Sequence, residues 1–437
     1  MTTTDDTAIA RFRWLPPFLR PPVPMNVGQE RFILLVGVAA LFAGYDLNIF
    51  GLAMPQIQAS LHIPENQVAL TVSYFRLATF AAILLAASAD IIGRRRLLLF
   101  TIFGQAIGTA ATAFVTTSAQ FTEIQMVARI FSYAEEMLCY VVFAEEVAAS
   151  ARGWASGTLS AMDFTGTGVA TLIFAGVTIL PYGWRSIYII GAIPLVIIGV
   201  LRRRLPETRR FQVRAAETQR LTSQFATTFD MLRRLAKEYP GRVIAILTAV
   251  AAFGFANAPA TVLQSKYLQQ TLHYTPLEVT MLLIPGGLIG LGLSIMTGRL
   301  SDRIGRKRVV FTTGCLTGIG FFFLFSGIHG WPVPFLWMMS FYGFFATDTL
   351  LAGFALEIVP TAYRATVSGL RYTVEILTGA VSLYLEGKAY DYFHAHGPAI
   401  AVMLATLPIT LIAILFLPEP AGKTLEEIAP EPAAPLN

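Results

Sequence analysis

The chain has 437 residues, of which 55% are hydrophobic and only 14% are charged, and its mean hydropathy is +0.60. A soluble protein carries about 25% charged residues, so this composition excludes one large soluble domain. The net charge of +5 would suggest nucleic acid as a partner of a soluble protein. Here the basic residues occupy short loops on one side of the apolar segments, as the positive-inside bias predicts, and we expect no nucleic-acid partner.

Twelve apolar segments of membrane-spanning length follow one another along the chain. In the first half they cover residues 32–57, 66–88, 96–116, 120–147, 152–179 and 184–203. In the second half they cover residues 242–268, 276–299, 308–328, 332–359, 364–389 and 397–417. We therefore predict an all-α polytopic membrane protein with twelve transmembrane helices in two pseudo-symmetric six-helix halves.

The predicted domains are a tail (1–30), a first bundle (31–203), a connector (204–240), a second bundle (241–417) and a tail (418–437). The tail at 1–30 has no apolar core of the kind that signal peptides carry. Within the connector, apolar and basic residues alternate at helical spacing, which predicts amphipathic helices on the membrane surface. Arginines cluster at the ends that would face the cytoplasm, so both termini are expected in the cytoplasm. The spans themselves are expected to contact membrane lipid. The chain has no Asn-x-Ser/Thr sequon, which fits a bacterial inner membrane.

An internal repeat underlies this organisation. The phrase Asp-Ile-Ile-Gly-Arg-Arg-Arg at residues 90–96 returns 212 residues later as Asp-Arg-Ile-Gly-Arg-Lys-Arg at residues 302–308. The same offset relates Glu145 to Glu357 and Arg152 to Arg364. Repetition of this kind indicates two copies of one structural unit.

These motifs resemble those of the major facilitator superfamily. The Asp-x-x-Gly-Arg turn after the second and eighth spans is its most specific signature, and Leu205-Pro206-Glu207-Thr208 and Leu417-Pro418-Glu419 are similar to motifs of its sugar-porter and organic-ion-transporter branches. The first turn departs from the pattern, since Ala86 and Ile91 stand where the second copy has Gly298 and Arg303. The resemblance implies two halves that rock around a central substrate site.

The resemblance also implies a charge network that latches one conformation at the inner ends of the helices. The alternative is that these charges only set topology. The predicted gating residues are Asp90, Gly93, Arg94, Glu145, Arg152, Asp302, Gly305, Arg306, Glu357 and Arg364.

Ionisable residues inside the spans are costly and therefore suggest function. The repeat offset relates two pairs of them, Glu136 with Asp348 and Asp163 with Glu375. Arg129 lies seven residues before Glu136, on the same helical face. This spacing resembles the anion:cation symporter branch, and Asp46 resembles the span-one acid of both that branch and the sugar porters. The resemblance implies a proton-coupling site of Asp46, Arg129 and Glu136, because a buried carboxylate that loses its arginine partner takes up a proton. A permanent structural ion pair is the alternative.

Arg76 stands among apolar and small residues, and a guanidinium there could bind a substrate carboxylate or pair with a surplus acid. The remaining residues within the spans leave similar alternatives open, since Arg371 and Glu375 could satisfy each other at a spacing of four and Phe345 could face lipid. The substrate-binding candidates are Arg76, Glu135, Asp163, Asp348, Arg371, Glu375 and Phe345.

We predict a proton-coupled symporter of a small organic anion, a carboxylate, that acts as a monomer without cofactor. The alternative is a proton-coupled antiporter that exports organic cations or drugs; a sugar transporter or a transport-inactive sensor is less favoured. An enzyme is not expected, because the sequence shows no nucleophile–base set, nucleotide loop or metal spacing. All five histidines (His62, His273, His329, His394 and His396) lie in predicted outer loops. Because no ligand spacing recurs among them, we favour ordinary loop residues over a metal or pH-sensing role and predict no metal site.

Overall fold

A computed structural model describes residues 12, 20–148, 151–203, 233–235, 237–360, 363–420 and 427. Within these ranges, the side chains at positions 90, 91, 144, 145, 152, 153, 291, 294, 295 and 365 fall outside the description. Most of the predicted connector, including its amphipathic stretch, and nearly all of the tail after residue 420 also lie outside the described residues.

The described residues form fifteen helices. They are α1 (Val27–Leu61), α2 (Glu65–Ala87), α3 (Ala89–Ile92), α4 (Arg94–Thr112), α5 (Ser118–Glu146), α6 (Arg152–Phe174), α7 (Trp184–Arg202), α8 (Pro240–Val262), α9 (Gln264–Gln270), α10 (Pro276–Ile304), α11 (Arg306–Leu324), α12 (Pro332–Glu357), α13 (Arg364–Phe393), α14 (His396–Leu404) and α15 (Leu407–Leu415). The twelve predicted spans all appear among them. Span seven is α8 followed by α9, span twelve is α14 followed by α15, and α3 is a single extra turn.

The all-α, twelve-helix prediction is confirmed. Seven segments of the described chain meet a strict test of length, hydropathy and low charge for crossing a membrane. Helices such as α5 carry buried ionisable residues and are correspondingly less apolar. Several helices begin at side-chain caps that satisfy free backbone N–H groups. Asn26 with Gln29 and Thr275 with Glu278 form complete capping boxes.

The chain divides into two compact units. The first comprises Met1–Ile63 and Leu77–Thr218, and the second comprises Pro64–Arg76 and Gln219–Asn437. In the first unit α1 packs against α5, α6 and α7, and in the second α8 packs against α12, α13 and α15. The predicted boundaries of the two halves stay a prediction, and the structure adds one point to them: the first half of α2 packs with the second unit.

Glycine at the two repeated turns is required by the backbone. Gly93 has φ 100° and ψ 142°, and Gly305 has φ 107° and ψ 138°. These values lie in a region that residues with a Cβ rarely adopt. The shared glycine is therefore explained by chain geometry and does not by itself argue for a latch. The helix before the first turn breaks at Ser88, whereas α10 runs unbroken to its turn.

Candidate functional site

Asp46 on α1 is a buried acid of the first unit. Its side chain is 3% exposed. Its two oxygens accept hydrogen bonds from Thr109 at 2.9 Å and from Ser132 at 3.0 Å. Arg129 on α5 lies within electrostatic reach of it and donates to the carbonyl of Leu47 at 3.2 Å. The structure thus brings together two of the three residues predicted for proton coupling.

Glu136, the third predicted coupling residue, has Asp163 as its charged neighbour. The two carboxylates, on α5 and α6, are close enough to repel each other. Both are half-buried, and Tyr140 beside them donates to or accepts from Ser160 at 2.9 Å. Within the described part of the chain neither carboxylate has a hydrogen-bond or ion-pair partner. We call Glu136 and Asp163 the acid pair.

The acid pair is held close to the helix that carries Asp46. Gly44 on α1 sits directly against Asp163, in contact with its backbone carbonyl and its carboxylate. Any Cβ at position 44 would occupy the space that Asp163 fills. Gly166, one turn further along α6, lies equally close to the backbone of α1 at Leu41 and Tyr45. Two glycines therefore set the close approach of α1 and α6 that places Asp163.

Glu135, which is one of the predicted substrate-binding candidates, is engaged in a buried ion pair of its own. It is 0% exposed and bonds to Arg202 on α7, which is 1% exposed. Its other oxygen accepts from Thr101, and Cys139 lies 3.4 Å away. The side chain is therefore fully enclosed between helices. Its sequence neighbour Glu136 points elsewhere, because adjacent residues on a helix lie about 100° apart.

In the second unit, Arg371 joins two of the predicted acids. One guanidinium nitrogen lies 3.2 Å from Asp348 on α12 and 2.9 Å from Glu375 on α13. All three side chains are partly exposed. We call these residues the arginine triad. The predicted pairing of Arg371 with Glu375 at a spacing of four is present, and Asp348 shares the same cation.

Arg76, the last residue of the α2 segment in the second unit, reaches the same region. It is a favourable electrostatic neighbour of Glu375. Its guanidinium lies against Gly379 on α13, where a Cβ would collide with it. Ser73, one turn earlier on α2, donates to the carbonyl of Ala380 at 2.8 Å. The second unit therefore brings two arginines to one pair of acids.

The repeat makes the charge difference between the units specific. Glu136 and Asp163 correspond to Asp348 and Glu375 at the offset of 212 residues. The position equivalent to Arg371 is Leu159, whose side chain is 0% exposed. The same two-acid arrangement is thus neutralised by arginine in the second unit and carries no such partner in the first.

Phe345 belongs to an aromatic cluster on α12, one turn before Asp348. It is 40% exposed and contacts Phe344 and Phe341 at ring distances of 5.3 Å and 6.0 Å. Phe344 stacks on Phe253 of α8 at 5.6 Å. Phe345 lies three residues before Asp348 and its ring is exposed, so contact with substrate stays a prediction, as does the alternative that the ring faces lipid.

Three of the residues predicted for gating contact one another at the second repeated turn, and their gating role stays a prediction. Arg306 binds Glu357 through two hydrogen bonds of 2.7 Å and 3.1 Å and also lies 2.9 Å from Asp302. Glu419 accepts from the backbone N–H groups of Arg306 and Lys307, so it caps the start of α11. Arg364 donates to the carbonyl of Leu356 at 3.1 Å. At the first turn, Arg94 is buried and lies 3.3 Å from the carbonyl of Ala89, whereas the side chains of Asp90, Glu145 and Arg152 lie outside the described residues.

Sequence reasoning missed two sets of functional candidates. Arg202 is one of the arginines that cluster at the ends of the spans and are expected to set topology, whereas the structure buries it against Glu135. His396 was interpreted as a loop residue, yet the structure encloses it between carboxylates of α2 and α13. Lys266 and Glu386 fall inside the predicted spans 242–268 and 364–389, and ionisable residues within spans were the available signal.

Comparison with known proteins finds a family model, relatives and solved structures that are similar to this chain. The family model of the Major Facilitator Superfamily matches residues 36–382 and 244–436. The cis,cis-muconate transport protein of Acinetobacter baylyi is 25% identical over 357 residues, covering 80% of this chain and 84% of that protein. The citrate-proton symporter of Salmonella typhi is 26% identical over 411 residues, covering 83% and 89%. A crystal structure of a D-xylose-proton symporter superposes with a TM-score of 0.72 at 17% identity, covering 90% and 99%, which is a likeness of fold.

Proposed function

The chain belongs to the Major Facilitator Superfamily and is a membrane transporter, not an enzyme, and from this premise we propose that it carries a small organic anion together with protons. The observation that carries the proposal is the charge difference between equivalent positions. The acid pair of the first unit offers carboxylates that can take up a proton, while the second unit holds Arg76 and Arg371 beside its acids.

The proposed substrate is a carboxylate because of the two arginines. A guanidinium binds a carboxylate through two parallel hydrogen bonds, which fixes the orientation of the ligand as well as its charge. Within the described residues Arg371 contacts Asp348 and Glu375 through the same guanidinium nitrogen, so its other nitrogens could bind a substrate anion. The relatives named for muconate and citrate are consistent with this substrate class.

The proposed coupling residues are those of the acid pair. Two neighbouring carboxylates without a cation repel each other, so binding one proton is favoured over leaving both charged. Asp46 accepts two hydroxyl hydrogen bonds and lies near Arg129, so it has partners that the carboxylates of the acid pair lack within the described residues. We therefore assign the coupling proton to Glu136 and Asp163 and give Asp46 and Arg129 a supporting role. The protein is proposed to lie in a bacterial inner membrane with both termini cytoplasmic, and to act as a monomer.

One observation favours a second function, the export of organic cations by proton exchange. The acid pair could hold a cation directly, as paired carboxylates without an arginine attract positive charge. The two functions differ in the direction of the proton gradient that drives accumulation. In a symporter, acid outside a vesicle drives uptake of the solute; in an antiporter, acid inside the vesicle drives it.

The test uses purified protein in liposomes with an imposed pH gradient of either sign. Labelled dicarboxylates, quaternary ammonium ions and sugars are offered in turn. Uptake of a dicarboxylate driven by external acid, and not by internal acid, is the expected result. Uptake of a cation driven by internal acid would replace the proposal with the antiport function, and transport of sugars alone would end both.

A further inference from the structure

A second cluster of ionisable residues lies at the end of the second unit where α2 begins and α13 ends. It contains Glu65 on α2, Lys266 on α9, Glu386 on α13 and His396 at the start of α14. The side chains of Lys266 and Glu386 are 1% and 0% exposed, and that of His396 is 11% exposed. Burial of this many charges away from the arginine triad calls for an explanation. We call these four residues the histidine cluster.

The contacts of the histidine cluster form a chain across four helices. His396 Nδ1 lies 2.7 Å from Glu386 Oε1, within hydrogen-bond distance. His396 Nε2 lies 3.4 Å from Glu65 Oε1, which is an ion-pair distance without hydrogen-bond geometry. Lys266 Nζ donates to the same Glu65 oxygen at 2.7 Å. The imidazole therefore stands between two carboxylates that belong to helices far apart in sequence.

The state of the imidazole decides whether this arrangement is favourable. A protonated histidine donates from both ring nitrogens and can serve both carboxylates. A neutral histidine donates from one nitrogen only, and its other nitrogen then turns a lone pair toward a carboxylate. Glu386 would be left as a buried anion beside a neutral ring, and its Oε2 has no hydrogen-bond partner within the described chain.

The same end of α2 is packed closely on α13. The backbone carbonyl of Asn66 lies against Gly387, where a Cβ would meet it at 2.7 Å. Ser73 donates to the carbonyl of Ala380 two turns further along. The first half of α2 is thereby docked on α13, with Glu65 at the end of the contact.

From this geometry we propose that His396, with Glu65 and Glu386, is a proton-binding site separate from the candidate transport site, and that its protonation holds the first half of α2 against α13. Loss of the proton removes the bridge between the two carboxylates and releases the start of α2. The proposal does not depend on which solute is carried. The predicted orientation of the chain in the membrane places the histidine cluster on the external side, so the external solution would supply the proton.

A cavity beside the histidine cluster gives a proton access to the imidazole, and several other polar and charged groups surround the ring. A cavity of about 610 Å³ is lined by Glu65, Lys266, His394 and His396, together with aromatic side chains. Tyr390 on α13 lies over the imidazole at a centroid distance of 4.5 Å. Lys266 contacts the same Glu65 oxygen as the ring and is near enough to the imidazole to oppose its protonation, but it makes no bond that replaces the one from His396 to Glu386. The exposed pair of Lys388 and Asp391 makes its own contact at 4.0 Å.

The test measures how readily the buried face of α2 can be labelled at different pH. Ala69 is 0% exposed and lies one turn before Ser73 on the same face, so a cysteine there reports undocking. In Ala69→Cys, the rate of reaction with a thiol reagent should rise by at least about fivefold between about pH 5.5 and about pH 8, beyond the rise shown by the exposed control Gln67→Cys. That control removes the effect of pH on the thiol itself.

Two variants decide whether the histidine cluster is responsible. His396→Gln, which cannot be protonated, should label fast at both pH values, and Glu65→Gln should also lose the pH step. The matched control His394→Asn changes a histidine of the same cavity and should keep the full step. The proposal would be overturned if the labelling rate of Ala69→Cys rose equally with pH in the presence and absence of His396→Gln. It would also be overturned if the rise disappeared in His394→Asn instead.

Discussion

Glu375 lies 2.9 Å from Arg371, while its repeat equivalent Asp163 has no cation within the described residues. The two halves of the chain thus use the same two acid positions in opposite ways. In the second unit the acids hold an arginine in place, and in the first they remain available to a proton. This asymmetry connects the internal repeat with the proposed coupling of protons to an anion.

The first prediction concerns Arg76 as an anchor for the substrate. Arg76→Ala should weaken binding of an anionic substrate by roughly 2–4 kcal/mol, which is the usual cost of breaking a desolvated charge pair. Arg76→Lys should restore only part of the affinity, because an ammonium group cannot bind a carboxylate bidentately. Binding to purified protein, measured by calorimetry, checks both variants.

A control for the Arg76 experiment is Arg299→Ala, which removes an exposed arginine of α10. Gly379→Ala adds an independent arm, since the new Cβ would push the Arg76 guanidinium from its place. That variant should lower the affinity while it leaves every charge present. Normal binding by Arg76→Ala, or a cation as the best ligand, would remove the carboxylate assignment.

The second prediction concerns the ion pair of Glu135 and Arg202. Since both side chains are fully buried, removing one leaves an uncompensated charge, and Glu135→Leu or Arg202→Met should destabilise the fold by about 3–5 kcal/mol. The double variant should recover most of the loss, because two apolar side chains of similar size replace the pair. Thermal unfolding in detergent, with substrate transport as a second readout, distinguishes this structural role. A single variant that keeps full stability but loses substrate binding would return Glu135 to the site.

The sequence predicted the architecture because its signals are long and repeated. Twelve apolar segments and an offset of 212 residues each rest on many residues, so single departures such as Ala86 and Ile91 do not disturb them. The depth of Asp46 and Arg129 within the spans was also readable, and the structure places them together.

Which charges pair with each other was not readable from the sequence. Glu135 and Arg202 are 67 residues apart, and their pairing depends on the rotation of α5 and α7 about their axes. Glu135 and Glu136 looked equivalent in sequence, yet they face different neighbours. The docking of α2 on the second unit depends on close packing at Gly379 and Gly387, which leaves no periodic signal.

The third prediction tests the latch at the second repeated turn. Glu357→Gln removes the acid that binds Arg306 bidentately, and Asp302→Asn removes its weaker partner. If the network latches one conformation, both variants should slow transport and change the accessibility of introduced cysteines at the two membrane faces, with the larger effect in Glu357→Gln. Glu419→Gln serves as a comparison, because it weakens the cap of α11 and leaves the Arg306–Glu357 pair intact. Unchanged labelling and turnover in the first two variants would reduce these charges to topology signals.

The fourth prediction concerns the proton itself. Glu136→Gln mimics the protonated acid permanently, so exchange of substrate between the two sides should continue, since it requires no net release of a proton. Accumulation driven by a pH gradient should be lost, and substrate affinity should no longer depend on pH. Asp163→Asn should show the same defect, because the two acids share one proton site. Proteoliposomes separate exchange from gradient-driven uptake.

Two comparisons make the result of that experiment specific. Glu123→Gln changes an exposed acid on the same helix and should retain coupling. Asp46→Asn should be milder than Glu136→Gln if Asp46 only supports the site, and Arg129→Ala should be worse than Asp46→Asn because it leaves Asp46 without its nearby cation. Gradient-driven accumulation that survives in both Glu136→Gln and Asp163→Asn would move the coupling proton to Asp46 or to the arginine triad. If it survived in all of these variants, transport would not be proton-coupled through any of these acids.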